Sequence, residues 1–200
     1  MKKKISTLLT LVALFSTLLA TAQLSNEERK KALAEFKNSQ KNLISTLKGL
    51  SSAQMNYKPA DSVWSIAECL EHIAISEKNL YGMVEMSLSQ AKDESTESVF
   101  TDEKLIEIIT SRQQKVKTRK EFEPTNQFGS ADGSLEAFKI QRAANMEFVK
   151  TTDKDLRNYF FDFPFGPTDT YQVLLFISAH SQRHVDQIKA LKKSAGFPEA

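Results

Sequence analysis

The sequence predicts an all-α fold, a four-helix bundle with one additional peripheral helix. Three observations lead there. Apolar residues recur at three-and-four spacing over four long segments, the period of a helix with one buried face. Glycine and proline are scarce, 6 and 5 in 200 residues, so little interrupts those segments. No stretch shows the strict alternation of a half-buried strand. Four amphipathic helices of this kind bury their stripes against one another.

The first residues stand outside that fold. Lys2, Lys3 and Lys4 precede an apolar run, Ile5 to Leu19, and then the small-x-small sequence Ala20-Thr21-Ala22. This is the pattern of a secretory signal peptide, too short and wrongly flanked for a stable membrane anchor. Cleavage near Ala22 leaves residues 23–200 as one helical domain, exported to the periplasm or the medium.

Segment one runs from about Ser25 to Leu50. Ser25 and Glu28 have capping-box spacing, and Leu33, Phe36, Gln40, Leu43, Leu47 and Leu50 form the inward stripe. Ser51 to Ser62, with Pro59, reads as a connector. Segment two, about Ser65 to Ala91, opens on a second capping box, Ser65 and Glu68, with Trp64 placed to staple onto Cys69. Ile66, Leu70, Ile73, Leu80 and Val84 give its apolar face, and His72 borders that face. Segment three, about Asp102 to Phe122, has the polar excess of a peripheral helix. Segment four, about Ser134 to Thr152, carries Leu135, Phe138, Ala143, Met146 and Val149.

Asn158 to Thr168 is aromatic and punctuated by Pro and Gly, hence non-helical. Its rings Phe160, Phe161, Phe163 and Phe165 are expected chiefly to seal the bundle end, with a wall over an apolar pocket as the alternative. Segment five starts near Thr168, with Asp169 in its first turn, and stops by Gly196.

Composition narrows the function. Without the leader's three lysines the chain has 24 Lys and Arg against 25 Asp and Glu, a net charge of −1. A nucleic-acid binder would show a basic stripe, and the cluster Lys115 to Lys120 reads as a solvated face. Cys69 is the only cysteine, so no internal disulfide forms, and the residue reads as a small buried hydrophobe. A homodimer through bundle faces is compatible with the sequence, though no motif specifies one.

The chemistry sits in the three histidines. His180 and His184 are four apart in segment five, so both imidazoles leave the same helix face. His72, from segment two, can complete a three-nitrogen site. Three neutral ligands keep the full charge of a divalent ion and leave a position open for water or substrate. Gln187, three past His184, shares that face and can orient a ligand or bound water. Glu68, one turn before His72, is the candidate base, although its cap explains it without chemistry. Glu71 and Asp186 read as solvated, and Glu77 is poorly angled for the site. Imidazoles at their ordinary pKa would release the ion on acidification near pH 6.

Two stretches together resemble a known family. Trp64-Ser65-Ile66-Ala67-Glu68-Cys69-Leu70-Glu71-His72 resembles the start of the second helix of DinB-like (YfiT-like) proteins, and Ala179-His180-Ser181-Gln182-Arg183-His184-Val185-Asp186-Gln187-Ile188 resembles their last bundle helix. Phe165-Gly166-Pro167 and Ala195-Gly196-Phe197-Pro198 fit as well. The likeness covers about residues 25 to 198. It implies a four-helix bundle holding one divalent ion, zinc, nickel or manganese, on His72, His180 and His184. It also implies relatives that are thiol-dependent transferases and isomerases using bacillithiol, mycothiol or glutathione, and no DNA polymerase or repair activity. The chain departs from that pattern in its leader, which directs it away from the cytoplasm where thiol cofactors are kept reduced.

The sequence therefore points to an exported metal-dependent enzyme acting on a small molecule, with or without a thiol, by hydrolysis or group transfer. A non-catalytic metal- or ligand-binding module is the alternative, and a purely structural helical domain the third reading.

Overall fold

A computed structural model of the protein describes residues 23–113 and 116–199. The leader and Lys115 lie outside them. The helices are α1 (Asn26–Leu47), α2 (Ser52–Asn56), α3 (Ile66–Leu88), α4 (Asp102–Thr110), α5 (Ala131–Thr151) and α6 (Thr170–Leu191). A two-stranded antiparallel hairpin, β1 (Phe160–Phe163) and β2 (Gly166–Asp169), precedes α6, with Phe163 paired to Gly166 at the turn. The four long helices pack α1 on α6, α6 on α3, α3 on α5 and α5 on α1, a closed ring. The short α4 rides on the outside of α6. Among the described residues no helix is long and apolar enough to cross a membrane.

Local chemistry starts these helices where the sequence predicts. Ser25 with Glu28 and Ser65 with Glu68 form complete capping boxes. A third, Ser51 with Gln54, starts α2 inside the expected connector. Asp169 is the cap of α6, accepting from the Gln172 N–H, rather than a residue of its first turn. The hairpin was not foreshadowed by alternation. Four-residue strands are too short to show it, and Gly166 sits at φ +116° with a Cβ position only 2.5 Å from Val99 Cγ2.

Segment three departs most from expectation. The helix ends at Thr110, and the chain turns helical again only in a single 3-10 turn, Lys120–Phe122. Neither Pro nor Gly breaks it. Only Leu105 of α4 is buried, and Val116 is exposed, so a longer helix would have no apolar face to bury. Arg157 fastens α4 to the bundle. It bonds both Asp102 carboxylate oxygens at 2.9 Å, Asp169 at 3.0 Å and Glu28 at 2.8 Å, and lies over the Tyr171 ring.

The interior also differs from a simple apolar stripe. On α1 the buried line is Ala32, Phe36, Ser39, Leu43 and Thr46, one residue round from the predicted one. Ser39 is buried because it serves Arg142, which is fully buried on α5. All five guanidinium N–H groups are used. Nε and Nη2 bond the two Glu77 oxygens; Nη1 bonds the Phe36 carbonyl and Ser39 Oγ; Nη2 also bonds Ser181 Oγ. Asn145 donates to Glu77 at 2.9 Å. One cation thus joins all four bundle helices.

Candidate metal centre

His72 of α3 and His180 and His184 of α6 converge. Their Nε2 atoms stand 3.1 Å (72 to 184), 3.2 Å (180 to 184) and 3.3 Å (72 to 180) apart. Nitrogens bound at 2.0–2.1 Å to one ion lie about 3.0 Å apart at octahedral angles and about 3.4 Å apart at tetrahedral ones. The observed triangle falls between. Among the described residues this is the cluster of His, Cys, Asp or Glu groups that can share an ion.

The outer nitrogens set the tautomers. His72 Nδ1 lies 2.6 Å from the Phe122 carbonyl, which can only accept, so Nδ1 carries the proton and Nε2 a bare lone pair. His184 Nδ1 donates in the same way to Gln187 Oε1 at 3.0 Å. Two lone pairs therefore face each other at 3.1 Å inside the protein, an arrangement that repels unless a cation lies between them. The donor set fits a divalent metal ion.

Each ring is held by packing. Trp64 lies against His72 with centroids 4.9 Å apart. Phe165, Phe163, Phe176 and His180 form a near-parallel stack, at 5.1, 5.1 and 6.0 Å. The Phe122 carbonyl is positioned by the strand of chain around it. Glu71 Oε1 accepts from the N–H groups of Thr125 and Gln127, and Asn79 donates to the Glu121 carbonyl. Glu71 is thus buried, not solvated as its helix angle suggested, because the returning chain covers it.

Burial keeps the imidazoles neutral. It lowers the pKa of His72, lowers His180 further with help from His184 and His72, and takes His184 down to about 3, with His72 adding to the effect. Neutral imidazole is the ligating form. Proton competition for these nitrogens therefore begins lower than the pH 6 expected for exposed histidines.

The remaining candidates separate. Gln187 touches the cluster through His184. Glu68 does not: one carboxylate oxygen takes the Ser65 N–H and the other pairs with Lys58 at 2.9 Å. Its pKa is lowered by those bonds against the opposing pull of burial. Glu68 is thereby committed to the helix cap. Asp186, read from the sequence as solvated, is partly exposed and pairs with Lys189 at 3.0 Å. Burial pushes the Cys69 thiol up to about 12, so it packs as an apolar side chain.

The cluster opens on a cavity of about 670 Å³. Phe161, Phe163, Phe165 and Phe176 line it, along with Met83 and Ile108. Three rings of the aromatic loop therefore form a pocket wall, where the sequence favoured a seal. The Phe122 carbonyl and the Glu71 contacts had no signal in the sequence, since both depend on an irregular loop returning to α3.

Comparison with known proteins places the fold in a family. The uncharacterized protein YuaE of Bacillus subtilis (strain 168) is 28% identical over 150 residues, 74% of this chain and 88% of YuaE. The structure of YfiT from Bacillus subtilis, described as a probable metal-dependent hydrolase with an unusual four-helix bundle topology, superposes with a TM-score of 0.59 at 17% identity. That match covers 88% of this chain and 91% of YfiT, and it shows the shared fold. The family model of the DinB superfamily matches residues 35–188, most of the chain, and the protein belongs to that superfamily.

Proposed function

We propose that the protein is an exported metal-dependent hydrolase of small molecules, with His72, His180 and His184 as the ligands of one divalent ion. The observation that carries this reading is the triangle of Nε2 atoms at 3.1–3.3 Å, two of them with lone pairs fixed inward. An ion on three neutral imidazoles supplies an electrophile for a carbonyl oxygen and, from water, a nucleophile at neutral pH. The chain's own groups do the rest. Phe122 and Gln187 hold the rings of His72 and His184 in the ligating tautomer, and the aromatic wall gives an apolar surface beside them for a substrate to pack on. Hydrolysis is favoured over thiol transfer because the leader directs the chain away from reduced thiol pools and because the structural neighbour YfiT is described as a hydrolase. Zinc, nickel and manganese all suit imidazole to different degrees, and zinc suits a three-nitrogen site with open positions best.

The test is turnover of a panel of small esters and amides by the purified protein, before and after chelation. Activity lost with chelator and restored by zinc, nickel or manganese supports the proposal. One ion bound per chain with no turnover of any substrate would reduce the protein to a metal-binding module. Export is tested separately: the N-terminus of the protein recovered outside the cytoplasm should be Gln23.

A further inference from the structure

The histidine cluster stands at the meeting of two unlike cavities. The larger is the phenylalanine-lined one already described. The second, about 440 Å³, has Trp64, Arg112, Arg183, His184 and Gln187 in its wall. His184 and Arg183 border both. The two guanidiniums come from different elements, Arg112 just past α4 and Arg183 on α6. Each is braced on a main-chain carbonyl: Arg112 Nη1 donates to Asp186 at 2.9 Å, and Arg183 Nη1 to Ile109 at 3.5 Å. Each contact orients one nitrogen of its guanidinium, and two planar forks on one wall suit a planar carboxylate. The larger cavity is mainly apolar and aromatic where it meets the histidines, with Lys104, Lys117, Arg119, Glu107 and Asp162 also in its wall, whereas the charged residues of the smaller one are the two arginines.

We propose that the ligand is two-ended: an aryl group packed on Phe161, Phe163 and Phe176, and a carboxylate held by Arg112 and Arg183, with the connecting amide or ester lying across the histidines. What happens at that joint rests on the hydrolytic reading; recognition of the two ends rests on the two cavities. For the amide case the substrate is an N-acyl amino acid. The oxygen of water bonds to the acyl carbon, and the C–N bond breaks with its electron pair going to nitrogen. Both water protons finish on that nitrogen, giving a carboxylate and an ammonium.

Calorimetry on the zinc-loaded protein tests recognition with three probes: N-benzoylglycine, its uncharged amide N-benzoylglycinamide, and N-acetylglycine. The benzoyl acid should bind about tenfold more tightly than either of the others, the scale of one charge-assisted hydrogen bond or one buried ring. Arg112→Gln, at an exposed position, should cut its advantage over the amide to within about twofold with metal content unchanged, and Arg183→Gln should do the same. Equal affinity for acid and amide in the unaltered protein overturns the proposal. So does a preference that survives both arginine changes, which would place the carboxylate on the zinc itself. Cleavage to benzoate and glycine is read separately: selective binding without cleavage keeps the two-ended site and overturns the hydrolytic reading instead.

Discussion

Two of the polar clusters that the bundle buries, one around Arg142 and one around His184, differ in how far they are satisfied. Around Arg142 every donor has an acceptor, and the guanidinium charge is balanced by Glu77. Around His184 the Nε2 atoms of His72 and His184 face each other as acceptors, and among the described residues no acid joins the cluster. The first cluster is complete as it stands and acts on the fold, joining α1, α3, α5 and α6. The second becomes complete only with a cation, and it opens on two cavities. Saturation of buried polar groups thus separates a structural network from a working site. The two lie close along the same helices, since Ser181 of the network follows His180 directly. The closed network braces the helices that hold the open one.

That contrast is sharpened most by breaking the closed cluster. Replacing Arg142 with Leu leaves the Glu77 charge buried and unpaired, which should cost about 3–5 kcal/mol in chemical denaturation. Adding Glu77→Leu should recover much of that loss, because the pair is then removed together. A single variant as stable as the parent would show the network carries no structural weight.

The open cluster should respond through metal affinity rather than stability. Gln187→Leu removes the acceptor of the His184 Nδ1 proton, and zinc affinity should fall about 10- to 100-fold with little change in the metal-free melting temperature. Unchanged affinity would show that Gln187 does not orient the ring.

A smaller effect is expected from pH on the metal-free protein. His184 titrates near 3 when folded and near the ordinary 6.5 when unfolded. Between those values the unfolded chain holds more protons, so stability falls as pH drops below about 6.5 and is independent of this group above it. Each such histidine contributes a slope of up to about 1.4 kcal/mol per pH unit. His184→Gln should flatten the loss measured from pH 6.5 to 5.5 with chelator present. An identical slope in the variant would mean the ring is not buried as described.

Much of this was legible in the residues. Helix starts were, because Ser25/Glu28 and Ser65/Glu68 are local devices. The three histidines were, because a spacing of four on one helix and a face shared with core residues are helix geometry. The Arg142 network also has a signal in the sequence: Leu135, Phe138, Arg142, Asn145 and Val149 keep strict three-and-four spacing, which puts a cation on the buried line. Glu77 is poorly angled for the histidines because its partner, Arg142, is on α5. The end of α4, the carbonyl of Phe122 and the covering of Glu71 depend on how an irregular chain returns to α3, and no local pattern encodes that path. The cavity wall was half legible. The aromatic run was plain, but whether it seals or lines a space is settled only by the turn at Gly166 and by Phe176 on another element.

The central claim is that His72, His180 and His184 bind one ion together. Titration of the metal-free protein with zinc, alongside His72→Ala, His180→Ala and His184→Ala, tests it most directly. The account predicts one ion per chain in the parent, loss of stoichiometric binding in each of the three variants, and retained helical circular dichroism throughout. Full occupancy in any one of the variants, or no zinc bound by the parent, would contradict it.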